Sequence, residues 1–376
     1  MFLPQPISKR LAKLLMLLMF IANPACSVTV HAAAYTENTA ATHDTTTLMV
    51  DKSVTGQEST GLHKDKVESQ PSLGAINVSL AILWSQPSKQ YIQMSVAAAA
   101  HPDTWSKRLT TQQRLWLVDK ADTMALFGEQ VVRLDRQGDW LKVAAANQHT
   151  NLNASGYPGW VLANQVIVNP TYLEEQKISS QIVVMAPKTI LFSNENLTTP
   201  KGELSWQVRL PLIGETEKIV EVRLPDGTTG YLPPSVIKQS TELCCNGDSV
   251  VIQARKFLGL KYLWAGTSSD GLDCSGLTFR VYQSQGFSIP RDADEQALEG
   301  IPIDKTKLLP GDLLFFASNN GQGEIHHVGI YSGNGMMIHA PNSKSQIKEE
   351  PFDVGTYHTE YWGARRYGLD PNMKIP

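Results

Sequence analysis

The sequence predicts an α+β protein in which two small β-barrels precede a domain whose helices come before its sheet. Three observations carry that reading. Short β-like runs broken by turns fill one stretch from Ile76 to about Asn169 and a second from about Ser180 to Gln239, a rhythm suited to small barrels. From Asp248 onward, helical apolar spacing comes first and strand-like runs follow, the order of an α+β domain. The chain has 376 residues, long for one core, so two or three domains are expected.

The N-terminal residues read as an export signal. Lys9, Arg10 and Lys13 precede the apolar run Leu14 to Ala22, which is too short to cross a bilayer because a spanning helix needs about 20 residues. Small residues at Ala25 and Ser27, and again at Val30 and Ala32, offer cleavage positions, so residues 1–32 are expected to be removed. Cys26 admits a lipid anchor, but Asn23 stands where an apolar residue would be wanted, so release is preferred. Residues 33–75, rich in Thr, Ser, Asp, Lys and Gln, read as a disordered tether. No later segment is apolar and long enough to span a membrane, so the mature chain is expected outside the cytoplasm, secreted or at the cell envelope, as a monomer.

The first barrel is expected over 76–169, with strands at Asn77–Leu83, Val131–Leu134 and Trp140–Val143 and turns at Gln137-Gly138-Asp139 and Tyr157-Pro158-Gly159. The second, over 175–240, has candidate strands Gln181–Met185, Trp206–Leu210, Lys218–Leu224 and Thr229–Leu232. Both close on glycine followed by an aromatic, Gly159-Trp160-Val161 and Gly230-Tyr231-Leu232. This ending resembles bacterial SH3-like modules; one larger β-domain remains the alternative on pattern alone. The third region, 246–370, opens with a helix over Ser249–Leu258 and continues with a helix from about Ser275 to Gln285. Strands follow at Leu313–Phe316, Val328–Tyr331 and Met336–His339.

Composition narrows the function. A net charge of −3 gives no broad basic field, which argues against nucleic acid or an anionic membrane surface as partner. Hydrophobic residues make up 42% of the chain, enough for real cores. No cofactor motif is read, and one Cys with two well-placed His is a poor zinc set, so no metal is expected. Of four cysteines, Cys26 leaves with the signal or anchors it, and Cys244 and Cys245 are adjacent, which strains a mutual bridge. Cys274 is then an unpaired thiol in an exported protein, open to reading as a small buried hydrophobe or as a nucleophile.

Position favours the nucleophile. Cys274 lies where a loop enters a helix, in Asp273-Cys274-Ser275-Gly276. Free N–H groups and the helix dipole there are expected to favour the thiolate and to stabilise an oxyanion. Its base should come from His326, His327 or His339. A hairpin looped through Ser332-Gly333-Asn334 pairs Tyr331 with Gly335 and so sets His327 directly opposite His339, with His326 on the other face. This selects His327 as base and His339 as its orienting partner, subject to register.

Tyr262-Leu263-Trp264, Asp273-Cys274-Ser275-Gly276, Pro290-Arg291-Asp292, Pro310-Gly311-Asp312 and His327-Val328-Gly329-Ile330-Tyr331 follow one another in the sequence, with His339 in Met337-Ile338-His339-Ala340. In that order they resemble the NlpC family of cell-wall cysteine endopeptidases, most closely the γ-D-glutamyl-L-diamino acid endopeptidases. The resemblance implies a papain-like fold and attack by Cys274 on the carbonyl that joins D-Glu, through its γ-carboxyl, to a diamino acid. It implies Tyr262 near the oxyanion, and Asp273, Ser275, Arg291 and Trp264 shaping the cleft. It further implies that the first SH3-like module caps the cleft, with Asp292, Glu129 and Tyr157 gripping the free amine of an N-terminal L-Ala. The partner would be a short peptidoglycan peptide. An N-acetylmuramoyl-L-alanine amidase and a non-catalytic wall-binding protein are the alternatives. Ala265 and Leu272 depart from the residues usual in relatives, Gly and Phe.

Overall fold

The computed structural model describes residues 72–243 and 246–368. The expected export signal, Cys26, nearly all of the tether and the Cys244-Cys245 pair lie outside them. Two seven-stranded antiparallel sheets come first. One contains β1 (Ser72–Ile76), β2 (Leu80–Trp84), β3 (Ala121–Leu126), β4 (Gln130–Gln137), β5 (Trp140–Ala145), β6 (Tyr157–Leu162) and β7 (Val166–Ile167). The other contains β8 (Gln181–Val184), β9 (Lys188–Phe192), β10 (Pro200–Ser205), β11 (Arg209–Glu215), β12 (Val220–Arg223), β13 (Thr229–Leu232) and β14 (Ile237–Gln239). Their spatial orders are β3-β2-β6-β5-β4-β1-β7 and β10-β9-β13-β12-β11-β8-β14. These are one order repeated, which makes the two modules copies of a single SH3-like topology. The two Gly-aromatic endings fall on the equivalent strands β6 and β13. At Gly159 an added Cβ would stand 2.7 Å from Leu83 Cβ, and at Gly230 2.7 Å from Leu191, so each glycine lets a neighbouring strand cross closely.

Two expectations change here. The tether ends sooner than residue 75, because Ser72–Ile76 pairs with both β4 and β7. The first module also carries three helices between β2 and β3: α1 (Ile92–Ala100), α2 (Pro102–Arg108) and α3 (Thr111–Trp116). Their signal was legible in Thr110-Thr111-Gln112-Gln113, since Thr110 and Gln113 form a capping box. A fourth helix, α4 (Pro170–Ile178), links the modules, with Pro170 in its first turn and Asn169 as its cap.

The third domain places α5 (Gly247–Arg255), a short hairpin of β15 (Thr267–Ser268) and β16 (Gly271–Leu272), and α6 (Cys274–Gln283) ahead of a six-stranded antiparallel sheet. In the sheet, β17 (Ile301–Ile303) lies at one edge, then β22 (Tyr361–Arg366), β18 (Leu313–Ala317), β19 (Ile325–Gly333), β20 (Met336–His339) and β21 (Lys348–Pro351). Alternation sorts the strands: Leu313, Phe315, Val328, Ile330 and Ile338 pack on Leu277 and Val281 of α6, while Leu314, Phe316 and Met337 pack with Phe352 on the other face. Among the described residues no helix is long and apolar enough to cross a membrane.

The three domains share a core and a set of buried ties. Leu263 and Ala265 of the third domain join Trp84 and Leu126 of the first and Leu191 and Leu210 of the second in one apolar cluster. Lys188 on β9 reaches Asp103 of α2 and Asp270 of the third domain, both at 2.5 Å. The Asp270 side chain is only 2% exposed; burial raises its pKa against the pull of Lys188. Replacing Lys188 with Met leaves that carboxylate buried and unpaired, a situation that costs on the order of 3 kcal/mol. Urea unfolding is expected to show that loss, and Asp270→Asn in the same background is expected to recover part of it.

Candidate active site

Helix α6 begins at Cys274, and its cap is Asp273, which accepts from the Gly276 N–H at 2.6 Å. The helix enters under a loop so close that a Cβ at Gly276 would lie 2.1 Å from the Gly266 carbonyl oxygen. The glycine of Asp-Cys-Ser-Gly is therefore a matter of space. Ala265 has a φ of +63°, a conformation in which glycine would be unstrained: the left-handed region costs a side-chain-bearing residue about 1 kcal/mol.

Cys274 is half-buried, with its sulfur facing the backbone N–H groups of Ser275 and Val328. Burial, with the Asp273 charge second, pushes its pKa up to about 12. The thiolate expected from the helix terminus is thus not the resting form, because one helix end cannot offset the loss of water and a neighbouring carboxylate. His327 is also neutral: burial first, then His339 and His326, holds it well below the ordinary imidazole range.

The histidines meet by a register other than the expected one. Ile330 pairs with Ile338 and Tyr331 with Met337, so that Gly329, not His327, lies opposite His339. The turn is Asn334-Gly335, both at positive φ (+52° and +76°), the two-residue form matched to strand twist. That turn alone would shift the register by three, but a bulge between Tyr331 and Gly333 takes one residue back, and the net shift of two keeps side chains on their faces. His327 and His339 become diagonal neighbours, with His327 Nε2 2.7 Å from His339 Nδ1. Gly329 makes room, since a Cβ there would sit 3.2 Å from His339 Cβ. His339 Nε2 lies 2.8 Å from Glu350 Oε1. His326 turns away to Glu360, 3.2 Å distant. Tyr262 is buried, with Cys274 among the charges that act on its hydroxyl; its carbonyl accepts from Arg114 of α3 at 2.8 Å.

Arg291 is 1% exposed and organises the far side of the thiol. It donates to both Asp273 carboxylate oxygens (3.1 and 2.7 Å), to Ser275 Oγ (2.9 Å) and to Thr123 Oγ1 of β3 (3.0 Å). Its neighbour Asp292 accepts from the Tyr157 hydroxyl at 2.8 Å, and burial raises the Asp292 pKa to about 6. Trp264 donates its indole N–H to the Ala121 carbonyl at 2.8 Å, so it ties the cap to the catalytic domain.

Glu129 is not at this pocket. Its carboxylate pairs with the buried Arg280 of α6 and accepts from Gln148 at 3.3 Å. A carboxylate with one cation already beside it in a closed polar chain is spent, so the expectation that Glu129 grips an amine is corrected. The acidic residue on the cap that does act on Tyr157 is Asp122. It sits in β3 between Ala121, which binds Trp264, and Thr123, which binds Arg291. The signal for it was present: Asp122 and Thr123 interrupt an otherwise apolar strand, Ala121–Leu126. Nothing comparable in the sequence marked Glu350.

A half-buried thiol at a helix start, a histidine pair on the facing strands and an acidic pocket under a β-module are the parts of a cysteine hydrolase. Comparison narrows the class. Residues 259–366 match the NlpC/P60 family and 184–238 match a YKFC SH3b2 domain. A γ-D-glutamyl-L-lysine dipeptidyl-peptidase of Bacillus cereus is 37% identical over 80% of this chain and 92% of its own length. One of Bacillus subtilis is 33% identical over 77% and 96%. The crystal structure of an NlpC/P60 family protein from Bacillus cereus superposes with a TM-score of 0.73, at 36% identity over 79% of this chain and 99% of that one. The chain belongs to the NlpC/P60 family of cysteine peptidases.

The resting state can be tested on the free enzyme. An unperturbed cysteine titrates near about 8.5; alkylation of Cys274 by iodoacetamide is expected to keep rising with pH beyond that value. A rate already level at about pH 6 would show a preformed ion pair instead.

Proposed function

We propose that this enzyme hydrolyses the γ-D-glutamyl–diamino acid bond of short peptidoglycan-derived peptides that carry a free N-terminal L-Ala. The observation that carries the reading is the acidic pocket of Asp292 and Tyr157, with Asp122 on the cap. It sits one residue from Arg291, which is bonded to the residues on either side of Cys274. An ammonium is the natural occupant, because a carboxylate held in a poorly hydrated pocket is best stabilised by an opposite charge. Two residues of substrate then span from the amine to the reacting carbonyl.

In this reading Cys274 is the nucleophile. His327 takes the thiol proton as sulfur bonds to the γ-carbonyl carbon, so charge separates only as the bond forms. The Ser275 and Val328 N–H groups face the sulfur, and the Tyr262 hydroxyl lies within reach of the same charge, placed to stabilise the oxyanion. His327 returns the proton to the leaving amine, and water, deprotonated by His327, hydrolyses the thioester to release L-Ala-D-Glu. The enzyme would work as a monomer outside the cytoplasm on wall fragments, in keeping with the export signal expected over residues 1–32.

Incubation with L-Ala-γ-D-Glu-meso-diaminopimelate and its N-acetylated form, read by mass spectrometry, checks the substrate. Only the free-amine peptide is expected to yield L-Ala-D-Glu, whereas equal cleavage of both would remove the amine from the argument. Cys274→Ser is expected to abolish turnover and to leave the melting temperature in place.

The pH dependence follows from Asp292. Its carboxyl, raised to about 6 by burial, takes up a proton as pH falls through that value, and the ammonium loses its counter-charge. Because kcat/KM reports the free enzyme, it is expected to drop about tenfold per pH unit below that point. Asp292→Asn should lower kcat/KM throughout and erase this limb; a limb that persists in the variant assigns it to another group.

A further inference from the structure

The buried relay behind His327 does not end at His339. Its Nε2 meets Oε1 of Glu350 at 2.8 Å, and Oε2 of the same carboxylate receives the Lys348 ammonium at 2.8 Å. Glu350 lies on β21, whose residues Lys348 and Glu350 pair with His339 and Met337 of β20. Around the relay, Tyr357 of helix α7 (Gly355–Glu360) faces both imidazoles and hydrogen-bonds Glu350. Phe316 of β18 covers His327. The titratable groups facing the relay are therefore Lys348, Tyr357 and the two histidines, while His326 points to Glu360 on the outside.

A neutral imidazole carries one N–H, and the other nitrogen can only accept. An ionised carboxylate cannot donate at all. Against the cost of partial burial, Lys348 and His339 hold Glu350 below the usual carboxyl range, so it is ionised. Burial holds His339 near a pKa of about 4, so it is neutral. His339 must then carry its proton on Nε2, toward Glu350, and present a bare Nδ1 to His327. With 2.7 Å between them, His327 must in turn donate from Nε2, and its Nδ1 is left bare. Only in that tautomer can His327 accept a proton through Nδ1.

We propose that Glu350 is a positioning residue that fixes the tautomer of both histidines through its bond to His339, so that the bare Nδ1 of His327 is the one that receives the Cys274 proton. The inference rests on the assignment of His327 as base. It also explains why a glutamate with a lysine beside it sits at the end of the chain. The lysine keeps the carboxylate ionised and occupies the oxygen that His339 does not use.

The isosteric variant Glu350→Gln separates this role from packing. Its amide oxygen is drawn to the Lys348 ammonium, which leaves its NH2 facing His339 Nε2. His339 must then accept there and donate from Nδ1, and the proton of His327 is driven onto its Nδ1, where the thiol proton should go. A wrong tautomer in an intact site is costly in triad enzymes. We expect Glu350→Gln to lower kcat roughly 100-fold or more with KM little changed, and Glu350→Ala, which imposes no tautomer, to lower it less. A purely structural role predicts the reverse, because Gln preserves shape and Ala does not. Adding Lys348→Met to Glu350→Gln frees the amide to rotate and should restore part of kcat.

The direct readout is the 15N spectrum of labelled histidines in the wild-type protein and in Cys274→Ala, which needs no turnover. Protonation at Nε2 of both His327 and His339 is the expected result; a proton on Nδ1 of either overturns the proposal. So does a Glu350→Gln enzyme at least as active as Glu350→Ala. Should Glu350→Gln fail to fold, the wild-type spectrum still decides. Retained activity in Cys274→Ala would instead sink the assignment of the nucleophile and leave the tautomer result standing.

Discussion

The Arg291 guanidinium, almost wholly out of water, spends its donors on Asp273, Ser275 and Thr123. Two of these residues flank Cys274 and the third belongs to the first β-module, so the position of the thiol and the docking of the cap are set by one group. The network does not stop there. Thr123 bonds Gln148, Gln148 bonds Glu129, and Glu129 pairs with Arg280, which stands on the same helix that Cys274 begins. A closed ring of buried polar groups thus leaves α6 at its first turn, crosses β3 at Thr123, passes Gln148 beyond β5 and Glu129 before β4, and returns to α6 near its end. Such a ring tolerates no vacancy, since any member removed strands a buried partner. Its value lies in fixing one geometry more than in net stability.

Under the proposed function, the cap matters to chemistry because a site for short peptides must do two things at once. It has to exclude water, so that charge interactions near Asp292 are strong, and it has to stop the cleft at a definite length, so that the amine and the scissile carbonyl fall at two fixed points. Two copies of one barrel topology share these tasks unequally. The first carries the helical insertion, and through Asp122, Thr123, Tyr157 and Arg114 it reaches the site. The second touches the third domain through Lys188 and Ser205, whose hydroxyl lies 2.9 Å from that of Ser269; it braces the loop that leads to Cys274.

The same economy shows in the protonation states. Burial makes Cys274 a thiol, His327 and His339 neutral imidazoles and Asp292 a weak acid. A site at rest without a thiolate–imidazolium pair resists alkylation and oxidation. Under the proposed function, reactivity is supplied by the substrate, which would bring an ammonium to Asp292 and an electrophilic carbon to the sulfur.

Much of this was legible in the sequence. Short-range signals are written in a few adjacent residues: the Asp273 cap before Cys274, the Gly-aromatic closures of both barrels, and the alternation that puts His327 and His339 on one face. The hairpin register could be read in parity but not in value. The observed turn Asn334-Gly335 moves the pairing by three residues from that of Ser332-Gly333-Asn334, and the bulge between Tyr331 and Gly333 returns one, so the net shift of two moves no side chain across the sheet. Parity therefore survived, and the opposed pair became a diagonal one. What the tertiary structure alone decided is what depends on chains far apart in sequence meeting in one buried place. Glu129, expected to grip an amine, pairs with Arg280, and the cap carboxylate that acts on Tyr157 is Asp122. Cys274 looked like a thiolate until burial was counted, and Glu350 acquires a role only where β21 lies beside β20. Local sequence fixes backbone conformation and the face a side chain takes; the charge a group carries depends on its solvent and neighbours, and those are known only once the chain has closed around it.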